Sequence, residues 1–123
     1  MQRKIIFLSE TCEGKMHDKK IADEQPIEFD KEITLLQDSG FIGHHPKNAK
    51  IKQPYKNSKL KKLTEEQKIE NKEQASKRVR VEHSIGGVKR LRIVKDIFRN
   101  RRAGLIDLSM QIACGLHNLR LAA

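Results

Sequence analysis

The sequence predicts an α/β chain: a partial sheet of three short strands, followed by a helical C-terminal half. Apolar runs in the first half, such as Ile5-Ile6-Phe7-Leu8 and Ile33-Thr34-Leu35-Leu36, are short and rich in β-branched or aromatic residues, as buried strands are. From Thr64 onward capping residues and helical spacing take over. The resulting order is β-α-β-β-α-α, and three strands are too few for a self-sufficient open sheet.

Residues 4–9 read as the first strand, and residues 11–16 as a loop around Gly14. His17–Glu24 suits a short helix that ends before Pro26, because the chain ahead of a proline is biased away from helix. Residues 33–37 are the second strand, closed by Ser39-Gly40. A weaker third strand is expected over Ala49–Gln53, between Pro46 and Pro54. Residues 54–63 form a polar, lysine-rich connection. Thr64 is a suitable N-cap, with Glu65 and Glu66 in the first turn and Gln67 completing a capping box. This helix is expected over ~64–97, with Gly86-Gly87 as a kink or a point of close approach. A last helix is expected over ~103–121, where Leu105, Leu108, Ile112, Leu116 and Leu119 make a stripe expected to face the core, or to stand exposed if the chain is a truncated one.

The 123 residues leave room for one domain at most. Hydrophobic residues are 37% of the chain and aromatics 4%, with no Trp, so the core is lean. The net charge of +10 is uneven: residues 1–43 carry 6 basic and 9 acidic residues, and residues 44–102 carry 19 and 6. A polyanion would be held by the middle of the chain. Lys50, Lys52, Lys56, Arg78, Lys89, Arg90 and Arg92 are the expected nucleic-acid contacts. Two cysteines, Cys12 and Cys114, make no disulfide framework and fit a reducing cytoplasm. Ile5–Leu8 is too short for a signal-peptide core, and no segment is long enough to span a bilayer.

Two carboxylates stand out. Asp38 follows an apolar strand, at the carboxyl edge where α/β proteins place ligands; the competing reading is an ordinary turn residue before Ser-Gly. Glu82 is isolated in the basic run Arg78–Arg90, on one helix face with Arg78, Gly86 and Lys89, as a metal ligand or an ion-pair partner of Arg78. Val81, Ile85 and Val88 lie on the neighbouring face and are expected to pack inward. An Asp at a strand end with a Glu on a later basic helix is the layout of a two-metal phosphodiester-cutting site. His44-His45 with His83, or Cys12 and His17 with Cys114 and His117, match no standard zinc spacing. His83 reads as a surface histidine, and Tyr55 alone makes no base-stacking platform.

Four blocks in order resemble the DDE transposases of bacterial insertion sequences, a group that includes the Harbinger-type DDE endonucleases. They are His17-Asp18-Lys19-Lys20, Gln37-Asp38-Ser39-Gly40-Phe41-Ile42-Gly43, Arg78–Lys89, and Cys114-Gly115-Leu116-His117-Asn118-Leu119-Arg120. The resemblance implies a ribonuclease H-like fold with a helical C-terminal half. Its three acidic residues bind two Mg²⁺ ions, and Asp38 and Glu82 match the second Asp and the closing Glu as catalytic metal ligands. It also implies DNA as partner, no membrane, and a bacterial cytoplasmic, nucleoid-associated location. The family's first Asp lies on a first strand that residues 1–123 do not match, so the fold is expected to be incomplete and to lack its first strands. The whole chain is then the C-terminal part of the catalytic domain, inactive alone, and partnered by a missing N-terminal half or by full-length transposase. Asp18 matches an Asp that accompanies the triad without belonging to it, and it reads as a helix-start residue. A remnant of a disrupted element and a frameshift product both satisfy this reading. The alternative is a non-catalytic basic DNA-binding protein, or a regulator that poisons full-length transposase by mixed assembly.

Overall fold

A computed structural model describes residues 3–96 and 99–123, and the chain falls into two compact units, Cys12–Ser76 and Met1–Thr11 with Lys77–Ala123. Helix α1 spans Asp18–Glu24, strand β1 Ile33–Leu36 and strand β2 Ala49–Lys52. Helix α2 spans Glu65–Val88, α3 Arg92–Lys95 and α4 Leu105–Ala122.

In the unit of residues 12–76, β1 and β2 pair in parallel, with Ile33 opposite Ala49 and Leu36 opposite Lys52. Parallel strands need a crossover of roughly a dozen residues, and residues 37–48 supply it, with a 3-10 turn at Ser39–Phe41. Asn48 ends the crossover in the left-handed conformation, which asparagine tolerates better than most residues. Its carbonyl accepts from the Ile33 N–H at 2.9 Å, and its side-chain amide donates to the Phe29 carbonyl at 2.7 Å. Helix α1 lies against the crossover at two glycines. A Cβ on Gly40 would sit 2.9 Å from Asp18 Oδ2, and one on Gly43 would sit 3.0 Å from Lys19 Cε. The helix end is tied down as well, with His44 Nδ1 2.6 Å from Asp23 Oδ1. No described residue of this unit is fully buried, as the lean composition implies.

The capping box at the start of α2 forms as the sequence predicts. Thr64 N–H donates to Gln67 Oε1 at 3.1 Å, and Gln67 N–H donates to Thr64 Oγ1 at 3.2 Å. The helix does not run on to residue 95 or 97. It ends at Val88, and a turn at Lys89-Arg90 leads to α3, with residue 97 outside the described residues. Past the break, Leu91 and Val94 pack against the core of the other unit.

That core is small: Val88, Ala113 and Cys114 are buried, with Ile5, Leu91, Val94 and Met110 packed around them. Helix α4 starts at Gly104, whose positive φ of 75° suits glycine. Asp107 in its first turn accepts from the Thr11 N–H at 2.8 Å. The expected apolar stripe of α4 does not face this core. Leu108, Ile112, Leu116 and Leu119 are exposed, Ile112 at 53% and Leu119 at 65%. The opposite face is buried instead, through Ala113, Cys114 and His117. On α2 the inward positions are Ser84 and Val88, while Val81 and Ile85 are exposed. The helix is unbroken through Gly86-Gly87, and Gly87 is a point of close approach, because the His117 ring lies where a Cβ would be.

Residues 4–9 form no strand among the described residues. Side chains from two helices take the place of a neighbouring strand. The Asn118 carboxamide accepts from the Ile5 N–H at 2.8 Å and donates to the Ile5 carbonyl at 2.7 Å. The Arg3 carbonyl accepts from Ser84 Oγ at 3.1 Å and lies 2.9 Å from His117 Nε2. A carbonyl can only accept, so that ring nitrogen carries the proton and donates. The segment itself is largely exposed, Ile6 at 86%, and amide, hydroxyl and imidazole hold its backbone at Arg3 and Ile5.

Candidate active site and nucleic-acid surface

The carboxyl edge of the two-stranded sheet carries Asp38. The ladder continues one residue past β1, where the Gln37 N–H donates to the Lys52 carbonyl at 3.0 Å. The Gln53 and Gln37 side chains then hydrogen-bond across the edge at 3.0 Å. Asp38 follows as the N-cap of the 3-10 turn, and its Oδ1 accepts from the Ser39 N–H at 2.7 Å. The turn role and the edge position expected of Asp38 therefore coexist: the Ser39 amide orients the carboxylate, and α1 braces the turn from behind. Asp18 opens α1 as expected of a helix-start residue, with its carboxylate over Gly40.

Glu82 lies on the exposed surface of α2, in the other unit. Its neighbours one turn away are Arg78 and Gly86, and nothing lies within 4 Å of where a Gly86 Cβ would be. His83 is exposed, as expected of a surface histidine. Asp38 and Glu82 thus belong to different units. Oxygen donors of this kind suit a hard divalent cation such as Mg²⁺. Among the described residues no three His, Cys, Asp or Glu side chains are gathered as a metal-binding group. Burial pushes the Cys114 thiol up from its ordinary range.

The expected nucleic-acid contacts are surface residues. Lys50 and Lys52 share the exposed face of β2. Lys50 pairs with Glu32 at 2.8 Å, and Arg92 pairs with Asp96 at 3.3 Å. Exposed pairs of this kind contribute about 0–1 kcal/mol, so a phosphate can displace either carboxylate at little cost. Lys56, Lys89 and Arg90 are also exposed. No Asp or Glu occurs between Asp38 and Glu65, a stretch that holds seven lysines.

Several residues that matter were not visible as such in the sequence. The His44–Asp23–Lys19 cluster braces the turn after Asp38. The Lys19 ammonium first, then the His44 ring, holds the Asp23 carboxyl below its usual 3.8. Asn71 on α2 accepts from the Tyr55 N–H at 2.9 Å and donates to its carbonyl at 3.0 Å, the same two-point hold that Asn118 has on Ile5. The Glu70 carboxylate raises the Tyr55 phenol above its usual 10.0 by hydrogen bonding. Their one sequence signal is an asparagine on an otherwise charged helix.

Comparison with known protein families supplies the remaining observation. The family model described as DDE superfamily endonuclease matches residues 1–118. No curated protein and no solved structure matches the chain. Among the described residues no helix is long and apolar enough to cross a membrane.

Proposed function

The chain belongs to the DDE superfamily endonucleases, and from that membership we propose that it is part of a bacterial insertion-sequence transposase that cuts and joins DNA ends in the nucleoid. The family match over residues 1–118 carries this reading. A nuclease domain implies a DNA substrate, and endonucleases of this superfamily generally use divalent metal ions. Asp38 and Glu82 are the ligands this chain contributes, with Mg²⁺ as the metal. The ribonuclease H-like fold expected for the family is part of the same reading. Three carboxylates are used by such sites, and the third comes from outside residues 1–123.

Asp38 and Glu82 would hold the metal, which would supply activation of the attacking oxygen and stabilisation of the leaving oxygen of the phosphodiester. This chain's own residues orient and hold. The Ser39 N–H and α1 fix the Asp38 carboxylate at the sheet edge. Lys50, Lys52, Lys56, Arg78, Lys89, Arg90 and Arg92 hold phosphates and set the position of the duplex without reading its bases.

Residues 1–123 alone are expected to bind duplex DNA, with Kd of ~10⁻⁴–10⁻⁶ M at physiological salt, and not to cut it. Fused in frame to the reading frame upstream of Met1, they are expected to cut in a Mg²⁺-dependent way. Asp38→Asn and Glu82→Gln should each abolish cleavage while leaving DNA affinity nearly intact, and the double variant should be no worse, because the ligands act as one unit. Near-full cleavage by Glu82→Gln would remove Glu82 from the site. The seven exposed, clustered lysines favour one second reading, a basic DNA-binding regulator without catalysis. It predicts binding that ignores Mg²⁺ and both carboxylates, and no cleavage by the fusion.

A further inference from the structure

The connection from β2 to α2 ends in a turn that exposes a leucine. Leu60 is 100% exposed, the most exposed large apolar side chain among the described residues. The turn is closed by its own hydrogen bonds. Ser58 N–H donates to the Lys61 carbonyl at 3.2 Å, and Lys61 N–H donates to Ser58 Oγ at 3.0 Å. Both ends of the connection are fixed to α2, Tyr55 through Asn71 and Thr64 through Gln67. Lys56, Lys59, Lys61 and Lys62 surround the tip, and all are exposed.

Single exposed leucines are ordinary on protein surfaces. Leu60 differs in being held at the tip of a fixed turn, among lysines, in a stretch without a single acidic residue. Such a tip is apolar at its centre and cationic at its rim. Its complement is apolar at its centre and anionic at its rim. The minor groove of duplex DNA has this arrangement: phosphates line a cleft about 6 Å wide, and base faces become accessible where two stacked pairs are parted.

We propose that the Ser58–Lys61 turn is a DNA wedge, in which Leu60 enters a base step from the minor groove while Lys59, Lys61 and Lys62 grip the flanking phosphates. This rests on the proposed reading of the chain as a DNA-processing protein and deepens it by naming a determinant of site choice. Leucine and lysine offer no paired donor and acceptor for reading base edges. Selection by this turn therefore follows deformability, and pyrimidine–purine steps, which part most easily, are preferred.

The test uses the full chain and duplexes carrying 2-aminopurine beside a central TA step or a stiff A-tract. Binding of the unaltered chain should raise the fluorescence of the TA duplex and leave the A-tract duplex dark. Leu60→Ala should abolish the rise and weaken binding to the TA duplex about tenfold, the effect of losing one buried leucine side chain, without changing the salt dependence. Lys59→Ala with Lys61→Ala should instead flatten the dependence of log affinity on log salt by about 0.9 for each lysine. Leu60 is fully exposed, so its replacement does not put folding at risk. Duplex binding without a fluorescence rise, or a rise that survives Leu60→Ala, overturns the wedge and leaves the DNA reading standing. Absence of any duplex binding overturns both. Leu60-dependent sedimentation with phosphatidylserine vesicles, with DNA binding unaffected by Leu60→Ala, assigns the turn to a lipid surface and overturns the wedge.

Discussion

Gly86 and Gly87 are adjacent in one helix, yet replacing each by alanine should move stability in opposite directions. A Cβ on Gly87 would overlap the His117 ring, 2.6 Å from Cε1 and closer still to Nδ1. The ring cannot swing away freely, because its Nε2 is held by the Arg3 carbonyl at 2.9 Å. Overpacking a filled site costs about 1–3 kcal/mol, and losing that hydrogen bond costs about 1 kcal/mol. The helix propensity of alanine over glycine returns about 1 kcal/mol. The net expectation for Gly87→Ala is a loss of about 1–3 kcal/mol, from the three terms together. At Gly86 nothing lies within 4 Å, so Gly86→Ala keeps the propensity gain, up to about 1 kcal/mol. Urea denaturation followed by circular dichroism reads both, and 1 kcal/mol corresponds to roughly 4 °C in a chain of this size if heat is used instead. In a His117→Ala background the penalty at Gly87 should largely vanish, which separates a local overlap from a general fault in the helix. Equal stability of the two alanine variants would refute the close approach of α2 and α4 at Gly87.

The remaining expectations concern the surface. Ile112→Ser and Leu116→Ser should each change stability by no more than about 0.5 kcal/mol, while Ala113→Leu, at a site 1% exposed, should cost about 1–3 kcal/mol; comparable losses at all three would contradict the orientation of α4. Asp23 is held below 3.8 by Lys19 and His44, so its contribution to the brace is present above pH 3.8 and is lost as the pH falls through the lowered folded value. Carbon-detected NMR titration of the Asp23 carboxyl should show that depression, and Lys19→Met should remove most of it. Tyr55 is the only tyrosine and there is no Trp, so tyrosinate absorbance reports on it alone. Glu70→Gln should bring its titration down toward 10.0, and an unchanged titration would break the Tyr55–Glu70 contact.

The parts of the fold that depend on neighbours in sequence were legible, and the parts that depend on partners distant in sequence were not. The capping box at Thr64–Gln67 and the strands at 33–36 and 49–52 follow from residue type and local order. Asp38 was legible for the same reason, as a polar residue between an apolar run and a Ser-Gly turn. Residues 4–9 have strand composition, but a strand also requires a partner, and Asn118, 113 residues away, occupies that place at Ile5. The α4 stripe failed for a different reason. Hydrophobic periodicity weights large side chains, whereas close helix approach requires small ones, because bulk holds backbones apart. The inward residues of the two helices are Ser84, Val88 and partly buried Gly87 on α2, and Ala113, Cys114 and His117 on α4, with Val88 packed among Ala113 and Cys114 and Gly87 against the His117 ring. Half of those residues are polar or lack a side chain, so no apolar stripe announces them. The same logic applies to the turn that carries Asp38, where Gly40 and Gly43 admit α1 and the bulkier residues stay outside. Both carboxylates proposed as metal ligands therefore stand on backbone positioned by glycine and by hydrogen bonds. Glu82 is five residues before the Gly87 contact on a continuous helix, so tilting α2 there shifts the glutamate without touching it. A loss of cleavage in Gly87→Ala with DNA affinity retained would show that the packing of α2, and not only its charge, sets the site.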